Sequence, residues 1–197
     1  MFTSDYKIKS VLMDDKALSR TLSRLAHQII ESNRGVENLV IVGIRTRGVQ
    51  IAERLIEKIE AIEGRRLPLG TLDITFYRDD MLRTLKKPRV QETHIPFNID
   101  GKVVLLVDDV LYTGRTIRSA LDALMDFGRP ARIQLAVLID RGHRELPIKA
   151  DFVGQEVTTT AGEEVRVKLK NVDGVDGVFL VEVINEKKVN ETRARGN

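Results

Sequence analysis

Two adjacent carboxylates, Asp108 and Asp109, follow the apolar run Val103–Val107 and precede a small polar turn, Thr113-Gly114-Arg115-Thr116. Carboxylates accept hydrogen bonds from hydroxyls. The turn opens a helix pattern, so it offers backbone N–H groups and two hydroxyls at a helix N-terminus, which suits a phosphate. Acceptors for hydroxyls beside donors for a phosphate describe a sugar phosphate. An Asp pair that only caps the helix is the plainer alternative, and the whole strand-to-helix order favours the site over it. A second candidate is Arg45-Thr46-Arg47-Gly48, where two guanidiniums and a run of backbone N–H groups precede a helix pattern and suit a polyanion. Alone it reads as a plain turn; beside the Asp pair it reads as part of the same site. Residues 78–101 carry Arg78, Arg83, Lys86, Lys87, Arg89 and two prolines with little apolar periodicity. A loop this long in a compact domain is functional or disordered, and its cations suit closure over an anionic substrate.

Alternating strands and helices must position these loops. Residues 15–33 read as a helix with Leu18, Leu22, Leu25 and Ile29 on one stripe, capped by Asp14 or Asp15 and ended near Gly35. Leu39–Ile44 is a continuous apolar run, the pattern of a strand covered on both faces. A second helix carries Ile51, Leu55, Ile59 and Ile62 in phase and ends at Gly64. Leu72–Tyr77, Val103–Val107 and Ile133–Ile139 read as strands, and Arg115–Phe127 as a helix stopped by Gly128 and Pro130. The alternation predicts an α/β fold with a mainly parallel central sheet flanked by helices. Phe152-Val153, Val165–Leu169 and Val178–Ile184 read as short strands of a cover or small subdomain, and 186–197 as a frayed polar tail.

Composition narrows the class. With 197 residues, 42% hydrophobic and 31% charged, the chain suits one globular domain. Aromatics are 5% and Trp is absent, which argues against an aromatic stacking platform for RNA. Zero cysteines exclude disulfides, thiolate metal sites and a Cys nucleophile, and fit a reducing, cytoplasmic setting. The net charge of +3 permits anionic ligands without demanding nucleic acid. No apolar run approaches a membrane span, so no membrane partner is expected.

The run Asp108-Asp109-Val110-Leu111-Tyr112-Thr113-Gly114-Arg115-Thr116 resembles the phosphoribosyl-diphosphate (PRPP) motif of type I phosphoribosyltransferases. Its wording is similar to the PyrR family in particular, pyrimidine operon attenuators that are also uracil phosphoribosyltransferases. Residues 43–48, 72–80 and 139–147 also resemble that family, and the likeness runs from about residue 7 to 184. The resemblance implies a type I phosphoribosyltransferase fold over residues 1–185, with a small hood from both termini and a flexible lid. It implies Asp108 and Asp109 at the ribose, Val110–Thr116 at the 5′-phosphate, and Arg45, Thr46, Arg47 and Gly48 at the diphosphate. Arg78 and Arg89 would belong to the lid. Ile139, Asp140, Arg141 and Val165 would line a uracil pocket. Mg²⁺ would accompany PRPP, near Asp108 and Asp109. UMP and UTP would be ligands, and the assembly a homodimer or homotetramer.

One helix face bears on a second role. Lys16, Arg20, Arg24 and His27 fall in a narrow sector opposite the leucine stripe, which in an arbitrary protein is a solvated face. The resemblance implies that Ser23, Arg24 and His27, with His143, Arg144 and Lys149, form a surface for a messenger RNA leader. The alternatives are a uracil phosphoribosyltransferase without an RNA role, an RNA regulator with a vestigial active site, and a purine phosphoribosyltransferase. A signalling receiver domain also places an Asp pair at a strand end, but in its first strand, and here two strands come earlier.

Overall fold

The computed structural model describes residues 6–75 and 93–184. The lid candidates Arg78 and Arg89 and the tail 186–197 lie outside them. Five strands, β2 (Leu39–Ile44), β3 (Leu69–Leu72), β4 (Val103–Leu111), β5 (Arg132–Asp140) and β6 (Phe152–Glu156), form a parallel sheet in the order β3-β2-β4-β5-β6. Three others, β1 (Tyr6–Met13), β7 (Glu163–Lys168) and β8 (Gly177–Val183), form an antiparallel sheet in the order β1-β8-β7. The helices are α1 (Asp15–Asn33), α2 (Arg47–Glu63), α3 (Arg115–Met125) and the single turn α4 (Lys170–Asp173). The described residues divide into two compact bodies: those up to Leu18 with those from Thr158 onward, and Ser19–Val157.

The larger body follows from its apolar runs. All six residues of β2 are buried, as expected for a strand covered on both faces. Val40, Val42, Ile44, Val104, Leu106, Leu135 and Val137 share one core with Ile117, Ala120, Ala123 and Leu124 of α3. The alternate side of β2 meets α2, where a Cβ on Gly43 would lie 2.5 Å from Cα of Val49. The stripe Leu18, Leu22, Leu25 and Ile29 of α1 is at most 1% exposed, and the Asp14 carboxylate caps this helix by accepting from Ala17 N–H at 2.7 Å. Gly64 closes α2 in the left-handed conformation, with its N–H on Glu60 O.

Several boundaries differ from the sequence expectation. Ile62 is in phase on α2 but 44% exposed, because the buried face of that helix ends at Ile59. The strand expected at Leu72–Tyr77 ends at Leu72, since the Asp73 carboxylate accepts from the N–H and hydroxyl of Thr75 in a local turn. Helix α3 stops at Met125, leaving Phe127 outside it and 43% exposed. Phe152-Val153 belongs to the parallel sheet, paired with Ala136 and Val137 of β5.

The smaller body contains β1, which the sequence pattern misses. Across its central strand β8, Lys9 of β1 reaches Glu163 of β7 at 2.6 Å. Hydrogen bonds from Lys9 and Thr160 hold the Glu163 carboxyl down at about 2, and Glu163 raises Lys9 in turn. Because the Glu163 value is depressed from 4.5, this contribution is complete above about pH 4.5 and is lost as pH falls toward 2. Lys9 is 43% exposed, so the contribution is small. Lys9→Gln should therefore melt slightly below wild type near neutral pH, and the two melting temperatures should converge as the pH is lowered through that window. A difference that persists at pH 2 would assign the effect to packing.

Candidate active site at the β2–β4 crevice

Chain order reverses between β2 and β4: β3 lies on the outer side of β2, while β5 and β6 continue beyond β4. In open parallel sheets the crevice at such a reversal, beyond the carboxyl ends of the strands, is where ligands sit. The loop after β2 and the Asp pair of β4 meet there. The pair lies within β4, not past its end. On the β2 side pairing stops at Gly43 with Val107, whereas on the β5 side it continues through Asp108 with Val137 to Leu111 with Asp140. The two carboxylates thus stand on a rigid strand but beyond the end of one neighbour.

Gly48 brings the first loop against them. A Cβ there would lie 2.4 Å from Val107 O and 3.2 Å from Asp108 Cα, so the first turn of α2 rests on β4 backbone. Arg47, half-buried, acts electrostatically on Asp109, and Arg45 N–H donates to Leu72 O at 3.0 Å. Arg45 and Thr46 are exposed. Each carboxylate orients the chain locally: Asp108 Oδ1 accepts from Asp109 N–H at 2.9 Å, and Asp109 Oδ1 from Val110 N–H at 3.0 Å. Burial pushes the Asp109 carboxyl above its ordinary value, opposed by the Arg47 guanidinium and by these hydrogen bonds.

After β4 the chain turns through Tyr112 and Thr113 to Gly114, which precedes α3 at φ +91°, a left-handed conformation that favours glycine. Tyr112 is exposed, and Thr113 and Thr116 are half-buried. Beside this turn runs the segment after β5. Arg141 N–H donates to Leu111 O at 3.0 Å, and its guanidinium lies 4.1 Å from the centre of the Tyr112 ring. Ile139 is fully buried; Val165 is 9% exposed within the antiparallel sheet. Burial alone would raise the Asp140 carboxyl. Hydrogen bonds from Arg144 and Gly142 N–H, with the charge of Arg144, outweigh it and hold the carboxyl low.

The phosphoribosyl transferase domain model matches residues 11–171. A protein of Pelotomaculum thermopropionicum named bifunctional protein PyrR is 58% identical over 174 residues, covering 88% of this chain and 96% of that one. The protein of the same name from Thermus thermophilus is 56% identical over 176 residues, covering 89% and 97%. The chain belongs to the PyrR family. Among solved structures, a hypoxanthine phosphoribosyltransferase of Staphylococcus aureus superposes with a TM-score of 0.67 at 20% identity, covering 91% of this chain and 94% of that one, which establishes the shared fold. Expectation and structure therefore agree on a type I phosphoribosyltransferase fold. No helix among the described residues is long and apolar enough to cross a membrane.

The basic residues expected on one surface of this PyrR-family chain are not equivalent. Arg24 is exposed, yet its guanidinium donates to Gly154 O at 2.5 Å, Val153 O at 3.4 Å and Gln28 at 3.1 Å. These are carbonyls of β6, the edge of the parallel sheet, where backbone acceptors need donors. Ser23 accepts from Lys58 at 2.9 Å, and His27 Nδ1 lies 2.8 Å from Ser23 O. His143 is exposed at φ +58°, its ring edge-on to Tyr112 at 6.0 Å; Lys149 is exposed. Arg144 is half-buried and turned inward, onto carbonyl groups of its own body. Glu145 accepts from Arg115 Nε at 2.6 Å, a contact without a sequence signal, since an isolated acid on a loop has no periodicity.

Proposed function

We propose that the chain is a bifunctional pyrimidine regulator: a uracil phosphoribosyltransferase converting uracil and PRPP to UMP and diphosphate, and a uridine-nucleotide-dependent RNA-binding attenuator. The observation that carries the enzymatic part is the seating of Gly48 on Val107 and Asp108 at the β2–β4 reversal. It sets a cationic loop beside two carboxylates, the arrangement a ribose bearing a diphosphate requires. In this reading Asp108 and Asp109 accept from the ribose hydroxyls and stabilise the positive charge that develops at the anomeric carbon as its bond to diphosphate breaks. Arg45, Thr46, Arg47 and Gly48 receive the departing diphosphate. Val110–Thr116 hold the 5′-phosphate, and Ile139, Asp140 and Arg141 serve the base, with 1–185 read as one domain. No covalent nucleophile is needed.

Among the described residues no three His, Cys, Asp or Glu side chains converge as a metal cage. Two adjacent carboxylates beside a diphosphate site fit Mg²⁺ held mostly by substrate oxygens and water. When bound there it supplies charge neutralisation at the leaving group, with Asp108 and Asp109 the residues that would hold it. The test is incubation with PRPP, Mg²⁺ and each nucleobase in turn. UMP from uracil alone is expected; IMP or GMP from purines would replace the reading with a purine enzyme.

For the RNA part, Ser23, Arg24, His27, His143, Arg144 and Lys149 are the surface the reading assigns; of these Lys149 is exposed, whereas Arg24 and Arg144 also hold backbone carbonyls of their own body. Lys149→Gln should weaken binding to a pyrimidine-operon leader RNA and reduce the salt slope by roughly one phosphate contact, with uracil turnover unchanged. UMP should strengthen RNA binding, and RNA should strengthen UMP binding equally. Absence of any specific RNA binding by wild type would leave the enzyme alone. A homodimer or homotetramer and a cytoplasmic site belong to the same reading.

A further inference from the structure

The turn assigned to the 5′-phosphate is gripped along its length by the segment that follows β5. Arg141 N–H takes Leu111 O at 3.0 Å, and Arg144 Nη1 takes Tyr112 O at 2.7 Å. The N–H groups of Glu145 and Leu146 take Thr113 O at 2.9 and 3.2 Å. A Cβ on Gly114 would sit 3.4 Å from Leu146 and Ile148, and Arg115 Nε is held by Glu145. In a trans peptide the carbonyl and the next N–H point in opposite directions. Three consecutive carbonyls, of Leu111, Tyr112 and Thr113, turned toward 141–146 therefore aim the N–H groups of Tyr112, Thr113 and Gly114 the other way. An anion on that opposite side meets these three donors rather than the three carbonyl oxygens.

We propose that Arg144 is a positioning residue for the phosphate turn, the centre of a mould formed by 140–148. Its guanidinium ties together four points: Tyr112 O in the turn, Gly142 O at 3.1 Å, Ile148 O at 3.0 Å, and the Asp140 carboxylate at the end of β5. A planar fork with fixed donor directions can hold these at once; a lysine ammonium cannot. The same residue thereby links the end of β5, assigned above to the base, with the turn assigned to the phosphate. The inference rests on the proposed transferase reading for the identity of the anion, but not for the grip itself.

The experiment uses the full chain with Arg144→Gln, Arg144→Lys and Glu145→Gln. Amide hydrogen exchange of a peptide covering 110–116 in ligand-free protein reads the grip, and UMP affinity with the PRPP KM reads its consequence. Faster exchange is expected in Arg144→Gln, with UMP Kd and PRPP KM both raised about tenfold, the loss of one charge-assisted hydrogen bond. Arg144→Lys should recover only part of this. Glu145 is 50% exposed, so Glu145→Gln will fold and should show the same pattern more weakly if Arg144→Gln does not. Unchanged exchange would overturn the grip. Faster exchange with unchanged UMP and PRPP affinity would overturn the positioning role. Loss of RNA binding with both nucleotide readouts unchanged would likewise overturn it and return Arg144 to the RNA surface. Failure of wild type to bind UMP or PRPP would instead overturn the transferase reading, with the grip still judged by exchange.

Discussion

Asp109→Asn and Asp108→Asn are each expected to lower kcat/KM for UMP formation by about 10²- to 10³-fold, the usual cost of one preorganised electrostatic contact. Asparagine is the informative replacement. Each carboxylate uses one oxygen to accept from the next backbone N–H, Asp109 for Asp108 and Val110 for Asp109, and the amide oxygen can keep that bond. The strand geometry should survive, so the loss falls on ribose contacts and on the developing cation. Stability should separate the two functions of Asp109. Burial raises its carboxyl above the ordinary value, so in ligand-free protein the group favours folding at low pH, and that advantage is lost as pH rises through its folded value. Asp109→Asn should accordingly be at least as stable as wild type at neutral pH while nearly inactive, a trade common at active sites. The measurements are thermal unfolding without ligand and initial rates at saturating uracil. Turnover within a factor of two of wild type in both variants would remove the pair from the ribose.

What the sequence discloses here follows how local each signal is. The runs Leu39–Ile44 and Val103–Val107 are legible because both sheet faces are covered and no alternation is required. The continuation of β4 through Asp108–Leu111 is not, because it is held by pairing with Val137–Asp140 while its own residues read as a polar break. Strand β3 contains Gly70 and follows Pro68, which look like a turn. Gly70 is there because Val42, Ile95 and Phe97 approach within 3.3 Å of where a Cβ would be. Strand β1 exposes most of its length and pairs with β8, some 170 residues later in the chain, from Tyr6 with Val183 to Met13 with Val178. The candidate site reads in the sequence as a set of motifs, whereas the internal hydrogen bonds of Arg24 and Arg144 do not. Nothing in a helical wheel or a loop tells which guanidinium has backbone carbonyls waiting for it elsewhere in the chain.

Gly48→Ala should damage fold and site together, although the position lies in the first turn of a helix. Helix propensity alone would favour alanine by up to about 1 kcal/mol. Against this, the added Cβ would stand 2.4 Å from Val107 O, about 1 Å inside ordinary contact, and the obstacle is backbone of the central strand, which cannot rotate away. Overpacking of this kind costs about 3 kcal/mol, so the net loss should be about 2 kcal/mol, or roughly 4–8 °C in melting temperature for a chain of this size. Relief requires moving α2 and its preceding loop away from β4, which carries Arg47 away from Asp109. Activity should therefore fall well beyond what stability explains, through a raised PRPP KM as well as a lower kcat. Gly64→Ala is the control. It strains a left-handed residue at φ +66° but meets nothing within 4 Å, so it should cost about 1 kcal/mol of stability and leave the kinetics intact. If Gly48→Ala and Gly64→Ala lose activity only in proportion to stability, the loop after β2 does not need its close seat on β4, and the diphosphate assignment of Arg45–Gly48 loses its support.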